Sequence, residues 1–597
     1  MSRKTHFVNY PHNHTGIIRR SLIALLLSLG LVACEQPQPS QPEPASDTQE
    51  AGADLVFQNG RLYTVDATRT WAQAVAITDG RIVYVGSDVQ AQDYIGNSTQ
   101  VVNLDGRMML PALQDSHIHP ISSGVEALAC SLNDLPGIPE YRSTILNCAR
   151  TNPDLPWILG GGWSMSVFGP GAMPSRFILD ELVPDRPVYL TSQDGHTGWA
   201  NTVALNIAGI TRDTPDPIDG RIDRDPQTGE PIGSLQEGAM KLMRAHIPET
   251  SQEESLAGLR YSQDMLHSYG ITAMQDASVN ADSLEIYKIL QDRNELNMRV
   301  VGSIWWERDR GMDQLQEMLA LRETYTSGLI DAGTVKVMQD GVMENYTAAM
   351  LEPYLIPDGS SGIPMIAPQL LKQIVTELDR NNFQVHFHAI GDAAIRQSLD
   401  AIEQARTENG ASGNRHHISH LQLIDPADIP RFNSLEVVAN FQPLWAYPDK
   451  YITELTTPFI GEERARWMYP IKSVQDTGAT IAFGSDWSVS SANPYWQIET
   501  AVLRKDPTID SKEAADAPAL YPQERIDLAS AIAAFTINAA FVNRLEDQTG
   551  SIEVGKYADL VVLDQNLFEI APETISETNA LLTLFAGKPV HGEFSDL

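Results

Sequence analysis

Five side chains that could bind a metal stand where apolar runs of this 597-residue chain break into polar ones. In LPALQDSHIHP, Leu110 to Pro120, His117 and His119 lie two residues apart. On an extended segment that spacing turns both imidazoles to one face. Two imidazoles aimed at one spot suit a divalent transition metal, which takes nitrogen ligands at roughly 2 Å. An HxH pair alone is a weak signal. It gains weight because His388 closes FQVHFH, His420 closes HHISH and Asp486 closes IAFGSD. Any one of these histidines, taken singly, reads more readily as a hydrogen-bonded structural residue. Four of them plus a carboxylate, all at matching places, read as a metal cage. His386, on the same face as His388, is placed one layer deeper, as packing or as support for a ligand.

Ligands from distant segments converge only if rigid elements carry them. The candidate strands are MMLPALQD, ITAMQDA (from Ile271), MRVVGSIWW (from Met298), TVKVMQD (from Thr334), FQVHFHAIGD (from Phe383), HHISHLQ (from His416), LEVVANFQP (from Leu435) and ATIAFGSDW (from Ala479). Helix-like runs such as LLKQIVTELDRN lie between them. Eight strands alternating with helices predict an α/β fold, a (β/α)8 TIM-like barrel over 111–545, with chemistry at the carboxyl ends of the strands. The first, fifth, sixth and eighth strands deliver the five ligand types. About 150 residues separate the first strand from the second, so most of 121–262 must form a large insertion. Before the barrel, ADLVFQNGRLYTVD and AQAVAITDGRIVYVGS alternate around Asn-Gly and Asp-Gly turns, and after it GSIEVGKYADLVVLDQN and ALLTLFAGKPVHGEF again read as short β-rich pieces. Neither end can fold alone. Together, 54–110 and 546–597 predict one small composite β-sandwich.

Composition excludes one class of partner. Lys plus Arg total 42 against 77 for Asp plus Glu, a formal charge of −35. Such a surface repels polyphosphate, so nucleic acid is not expected as a partner. Four of the basic residues fall in the first 33, which hold no acid. There an apolar run from Ser21 to Ala33 follows Arg19 and Arg20. It is shorter than the roughly 20 residues a spanning helix needs, and fits the core of a signal peptide over 1–33. Its end, Leu31-Val32-Ala33-Cys34, resembles the lipobox of bacterial lipoproteins. The resemblance implies cleavage before Cys34, lipid on its thiol, and an exported protein anchored to a bacterial membrane, facing the periplasm or cell exterior. The Pro- and Glu-rich 34–53 reads as a disordered tether. Cys130 and Cys148 remain, and two cysteines outside the cytoplasm invite a disulfide.

The order HxH, His, His, Asp resembles the amidohydrolase superfamily. GWSMSVFG, PDRPVYLTSQDGHTGWANTVAL, TGEPIGSLQEGA, VKVMQDGVMENYTAAML, VHFHAIGDAA, GSDWSV and GSIEVGKYADLVVLD narrow the likeness to its family 3 type, the branch with N-substituted formamide deformylases. The likeness runs from about Asp54 to the end. It implies that Lys336, on the fourth strand, is carboxylated and bridges two metal ions; an unmodified lysine paired with Asp340 would leave one. Zinc suits this donor set, and manganese or iron also fit. The chemistry implied is hydrolysis of a small-molecule amide by metal-activated water, with Asp486 moving the proton to the departing nitrogen. His196 and Trp199, in the most motif-like part of the insertion, are the expected substrate contacts. An esterase, an isomerase or lyase on the same metal site, or a metal-dependent binding lipoprotein are the rivals. A homo-oligomer stays open.

Overall fold

Short runs rich in Val, Ile, Ala and Phe, bounded by turns, make strands whose two faces are both buried. In the computed structural model, which describes residues 52–133, 135–169, 173–514 and 516–597, eight of them stand side by side in sequence order, all parallel. They are β1 (Leu113–Ile118), β2 (Ile271–Val279), β3 (Arg299–Trp305), β4 (Ile330–Met338), β5 (Gln384–Ala389), β6 (His417–His420), β7 (Val438–Phe441) and β8 (Ile481–Phe483). The order leaves β8 and β1 at its two ends, and side-chain and backbone hydrogen bonds join them. Ser116 Oγ donates to the Phe483 carbonyl at 2.7 Å, and Asn440 Nδ2 donates to the Ser116 carbonyl at 3.0 Å. Asp115 Oδ1 accepts from the Ser485 amide at 3.0 Å, and the Asp486 amide donates to the His117 carbonyl at 2.8 Å. The result is a TIM-like barrel.

Helices cover its outside by the usual pattern. Pro368–Arg380 buries Leu371, Ile374, Val375 and Leu378, one face at helical spacing, between β4 and β5. Gln252–Ser268 starts at a capping box, in which Ser251 and Glu254 satisfy each other's backbone amides. It packs against Pro120–Leu128 so closely that a Cβ on Gly124 would overlap the Gly258 carbonyl. Because that helix runs unbroken through Ser262, residue 262 is not a boundary.

Between these two helices the chain builds a separate six-stranded sheet, in the order Gly220–Arg224, Pro231–Glu237, Thr197–Ala200, Val188–Ser192, Ile158–Trp163, Cys130–Ser131. Its own core holds Tyr141, Ile145, Trp163, Leu179, Leu190 and Trp199. A disulfide joins Cys130 on its edge strand to Cys148 in the helix Ile138–Thr151.

Two further sheets face each other outside the barrel. One has the order Arg81–Gly86, Ala74–Thr78, Leu55–Gln58, Gln100–Asn103; the other runs Lys588–His591, Ala580–Phe585, Leu560–Leu563, Met108–Pro111, Arg61–Tyr63, Trp71–Ala72. Phe57, Ile77 and Val102 from the first share a core with Met109, Val562 and Leu584 from the second. One expectation needs correction here. MMLPALQD is not a single barrel strand: Met108–Pro111 pairs with Leu560–Leu563, and the barrel strand begins at Leu113. Both halves are apolar and buried, so composition does not mark the change of sheet. Pro111, lacking an amide proton, is a natural last residue for the first ladder. The expected signal peptide (1–33), the Cys34 expected to bear lipid and nearly all of the expected tether lie outside the described residues. No helix among the described residues is long and apolar enough to cross a membrane.

Candidate metal centre

The carboxyl ends of β1, β5, β6 and β8 bring the histidines and the aspartate together. His117 is buried, and its Nε2 lies 3.3 Å from Asp486 Oδ1. His119, a residue past β1, puts its Nε2 3.1 Å from the same oxygen while 28% of its side chain stays exposed, so the centre opens to solvent on that side. His420 Nδ1 lies 2.9 Å from Gln442 Oε1 and 3.8 Å from Asp486 Oδ2. An amide oxygen only accepts, so the His420 proton sits on Nδ1 and Nε2 is left with a lone pair. The His388 ring centre is 4.4 Å from that of His420. Its Nδ1 is 3.4 Å from Asp340 Oδ1.

Three buried atoms in this group have no hydrogen-bond partner: His388 Nδ1, His420 Nε2 and Asp486 Oδ1. Leaving buried acceptors bare is unfavourable by about 1–3 kcal/mol each. Donor atoms of His117, His420 and Asp486 lie within 4.8 Å of one another. Converging lone pairs with nothing to receive them are what a divalent cation fits.

Electrostatics agree with the geometry. Burial, helped by His196 and Lys336 at His388 and by His388, His117 and Lys336 at His420, holds both imidazoles well below the usual range, so both are neutral, as ligands must be. Burial would raise the Asp486 carboxyl, but His117 and His119 outweigh it and keep it ionised. Lys336 is buried on β4 with Nζ 3.4 Å from His117 Nε2. Burial pushes its amine down to about 7, against the opposing pull of Asp486 and Asp276. Asp340, the acid that an unmodified Lys336 would pair with, is occupied elsewhere. It accepts from the amides of Ile390 at 3.0 Å, Gly391 at 2.8 Å and Ala349 at 3.0 Å.

The two expected substrate contacts part company. His196 reaches the centre: its ring centre is 5.4 Å from that of His388. Nδ1 lies 3.0 Å from each oxygen of Glu237. Burial opposes a charge there, yet the pairing with Glu237, aided by Asp194, pushes the His196 imidazole up to about 9. Trp199 is turned away. It is 1% exposed, packs edge-on against Trp163 and Phe168, and donates its indole proton to the Ser175 carbonyl at 3.1 Å. Its bulk serves the core of the inserted sheet.

Sequence reasoning did not reveal what several neighbours touch. Glu237 and Gln442 each fix an imidazole, Asp340 stands 3.4 Å from a third, and Trp445 stacks on His420 with ring centres 5.4 Å apart and planes 11° from parallel. Glu237 and Asp340 stand inside quoted motifs, so their presence was visible; their partners were not.

A parallel barrel with such a cluster at its carboxyl end is the architecture of a metal-dependent hydrolase. The chain belongs to the amidohydrolase family, which its residues 100–591 match. It is a hydrolase acting on carbon–nitrogen bonds other than peptide bonds. It is 32% identical over 553 residues to Protein LONG AFTER FAR-RED 3 of Arabidopsis thaliana, covering 90% of this chain and 92% of that one. To the N-substituted formamide deformylase of Arthrobacter pascens it is 26% identical over 551 residues, covering 89% and 97%. An uncharacterized metal-dependent hydrolase from Pyrococcus horikoshii has the same fold, with a TM-score of 0.68 at 23% identity over 87% of this chain and 99% of that one.

Proposed function

We propose that the chain hydrolyses the C–N bond of a small non-peptide amide, formamide-like or cyclic, at a centre held by His117, His119, His388, His420 and Asp486. The observation that carries this reading is that two of the bare buried atoms, His420 Nε2 and Asp486 Oδ1, face one space. A divalent ion bound there, zinc being the best match to the donors, supplies water activated near neutral pH and polarises an acyl oxygen. Asp486 is the proton carrier: it is held ionised beside His117 and His119, with Oδ1 placed to take a proton and return it to the departing nitrogen. Lys336 as a carbamate would add an anionic oxygen ligand and bridge a second ion. Its neutral-leaning amine and the engagement of Asp340 elsewhere support that form.

The test is one hydrolysis panel with the purified soluble form: N-substituted formamides, N-acyl amino acids, cyclic imides and simple esters. Turnover of an amide or imide with loss on chelation supports the reading. Turnover of esters alone makes the chain an esterase, and metal binding without turnover makes it a binding protein.

Export and anchoring are a second proposal, resting on LVAC after the apolar run. The mature protein starts at Cys34, carries lipid there and partitions with membranes. Lipid label recovered on Cys34→Ser would overturn it.

A further inference from the structure

The inserted sheet meets the barrel at a carboxylate that the reading above leaves idle. Glu237 ends the strand Pro231–Glu237 with a left-handed φ of 49°, and its amide donates to the His196 carbonyl at 3.0 Å. The side chain is 4% exposed. Oε1 is 2.7 Å from Thr347 Oγ1, in the loop that follows β4, and both oxygens reach His196 Nδ1. The barrel loop is shaped to admit it: a Cβ on Gly341 would overlap both Glu237 Oε1 and Thr347 Oγ1.

This arrangement dictates which atom of His196 is available. An ionised carboxylate only accepts, so the proton between the two groups sits on Nδ1. Nε2 is left for something outside the protein, on a ring that stands beside His388. Carboxylate-backed imidazoles are held in one orientation and one tautomer, which is how a fixed donor or acceptor is aimed. The Asp194 side chain adds to the grip, Oδ1 accepting from the His196 amide at 2.8 Å.

We propose that Glu237 is a positioning residue: with Thr347 behind it, it aims His196 Nε2 at the acyl oxygen of the substrate, so the insertion supplies the group that meets the negative charge developing on that oxygen as water adds to the acyl carbon, before the C–N bond opens. The proposal rests on the amide-hydrolysis reading, but it can fail or stand separately. A group aimed at an acyl oxygen also meets the carboxylate of the hydrolysed product, and that contact needs no turnover to measure.

The experiment therefore has a binding arm and a kinetic arm, on the full chain with its metal. Calorimetry with formate, acetate and benzoate should show binding that weakens at least about tenfold in His196→Ala and in Glu237→Gln. Metal content should not change in either. With a substrate from the panel, Glu237→Gln should lower kcat about 10–100-fold with little change in KM, and Glu237→Asp should recover part of it. In a His196→Ala background, Glu237→Gln should add almost nothing, because the two act as one unit. Thr347→Val, a milder change, guards against a variant that merely unfolds. Overturning results are wild type that binds no carboxylate, equal binding by wild type and His196→Ala, or a full additional loss from Glu237→Gln in the His196→Ala background. Carboxylate binding that depends on His196, with no turnover anywhere in the panel, would instead overturn the hydrolase reading and leave this one standing.

Discussion

His386 Nε2 lies 2.8 Å from His117 Nδ1, one imidazole bracing another behind the centre. Ser419 Oγ is 2.8 Å from the same Nε2, and Ser303 Oγ is 3.1 Å from His386 Nδ1. If His117 offers Nε2 to a metal, its Nδ1 carries the proton and His386 Nε2 must accept it. Burial and the surrounding imidazoles hold His386 well below the usual range, so it is neutral and able to accept. Replacing such a partner typically weakens metal affinity 10–100-fold. His386→Leu should do so by roughly that factor, read by competition with a chelator. Wild-type affinity in that variant would count against His117 as a ligand.

Asp486→Asn separates proton transfer from metal retention. The amide keeps a ligand oxygen but cannot shuttle a proton, so kcat should fall about 10²–10⁴-fold while much of the metal stays. Equal loss of metal and turnover would reduce Asp486 to a ligand. His117→Ala and His420→Ala are the contrasting pair, and both should lose metal and hydrolysis together. Full metal content and full hydrolysis in both would sink the assignment of the site.

Metal count decides the state of Lys336. Near two ions per chain, falling toward one in Lys336→Met, is the result expected of a bridging carbamate. One ion per chain in the wild type, unchanged in the variant, would show a plain lysine.

Acid should loosen the barrel through Asp379. Burial would raise this carboxyl, but hydrogen bonds from His416, Ser412, Asn409 and Asn414 outweigh it and hold it well below the ordinary carboxylate value. A depressed group contributes its full stability above its unfolded value near 4 and loses it as the pH falls further. Asp379→Asn should therefore be less stable than wild type at pH 7 by about 1–2 kcal/mol, solvent screening taking up part of the shift, with the difference shrinking below pH 4. A gap between the two denaturation curves that holds constant to pH 2 would rule the linkage out.

The disulfide should matter to the insertion and not to the centre. Cys130 and Cys148 are 18 positions apart, and closing such a loop contributes about 3 kcal/mol. Cys130→Ser with Cys148→Ser should lower the denaturation midpoint and leave metal content intact, since no proposed ligand lies in the inserted sheet. Thiol labelling of the unfolded, unreduced wild type should find neither cysteine free.

The barrel was legible because its strands advertise themselves as apolar runs, and the proposed ligands because each closes such a run: His388 after FQVHF, Asp486 after IAFGS. What stayed hidden depends on contacts across long stretches of chain. Nothing local says that Glu237 meets His196, that Gln442 orients His420, or that Asp340 turns from Lys336 to the amides near Gly391. Trp199 misled for a related reason. In QDGHTGW it shares a motif with His196, but alternation along the strand and the aromatic partners Trp163 and Phe168 draw it inward.

The pairing of Met109 with Val562 sets a schedule for the chain's birth. The two partners are roughly 450 residues apart, and at about 5–20 residues per second the ribosome delivers the second some 20–90 seconds after the first. Until then Leu62, Leu104 and Met109 wait without the strands that bury them. A stop codon near 545 would strand that surface for good, so nonsense truncation there should yield aggregate rather than a trimmed enzyme, however complete the eight barrel strands are.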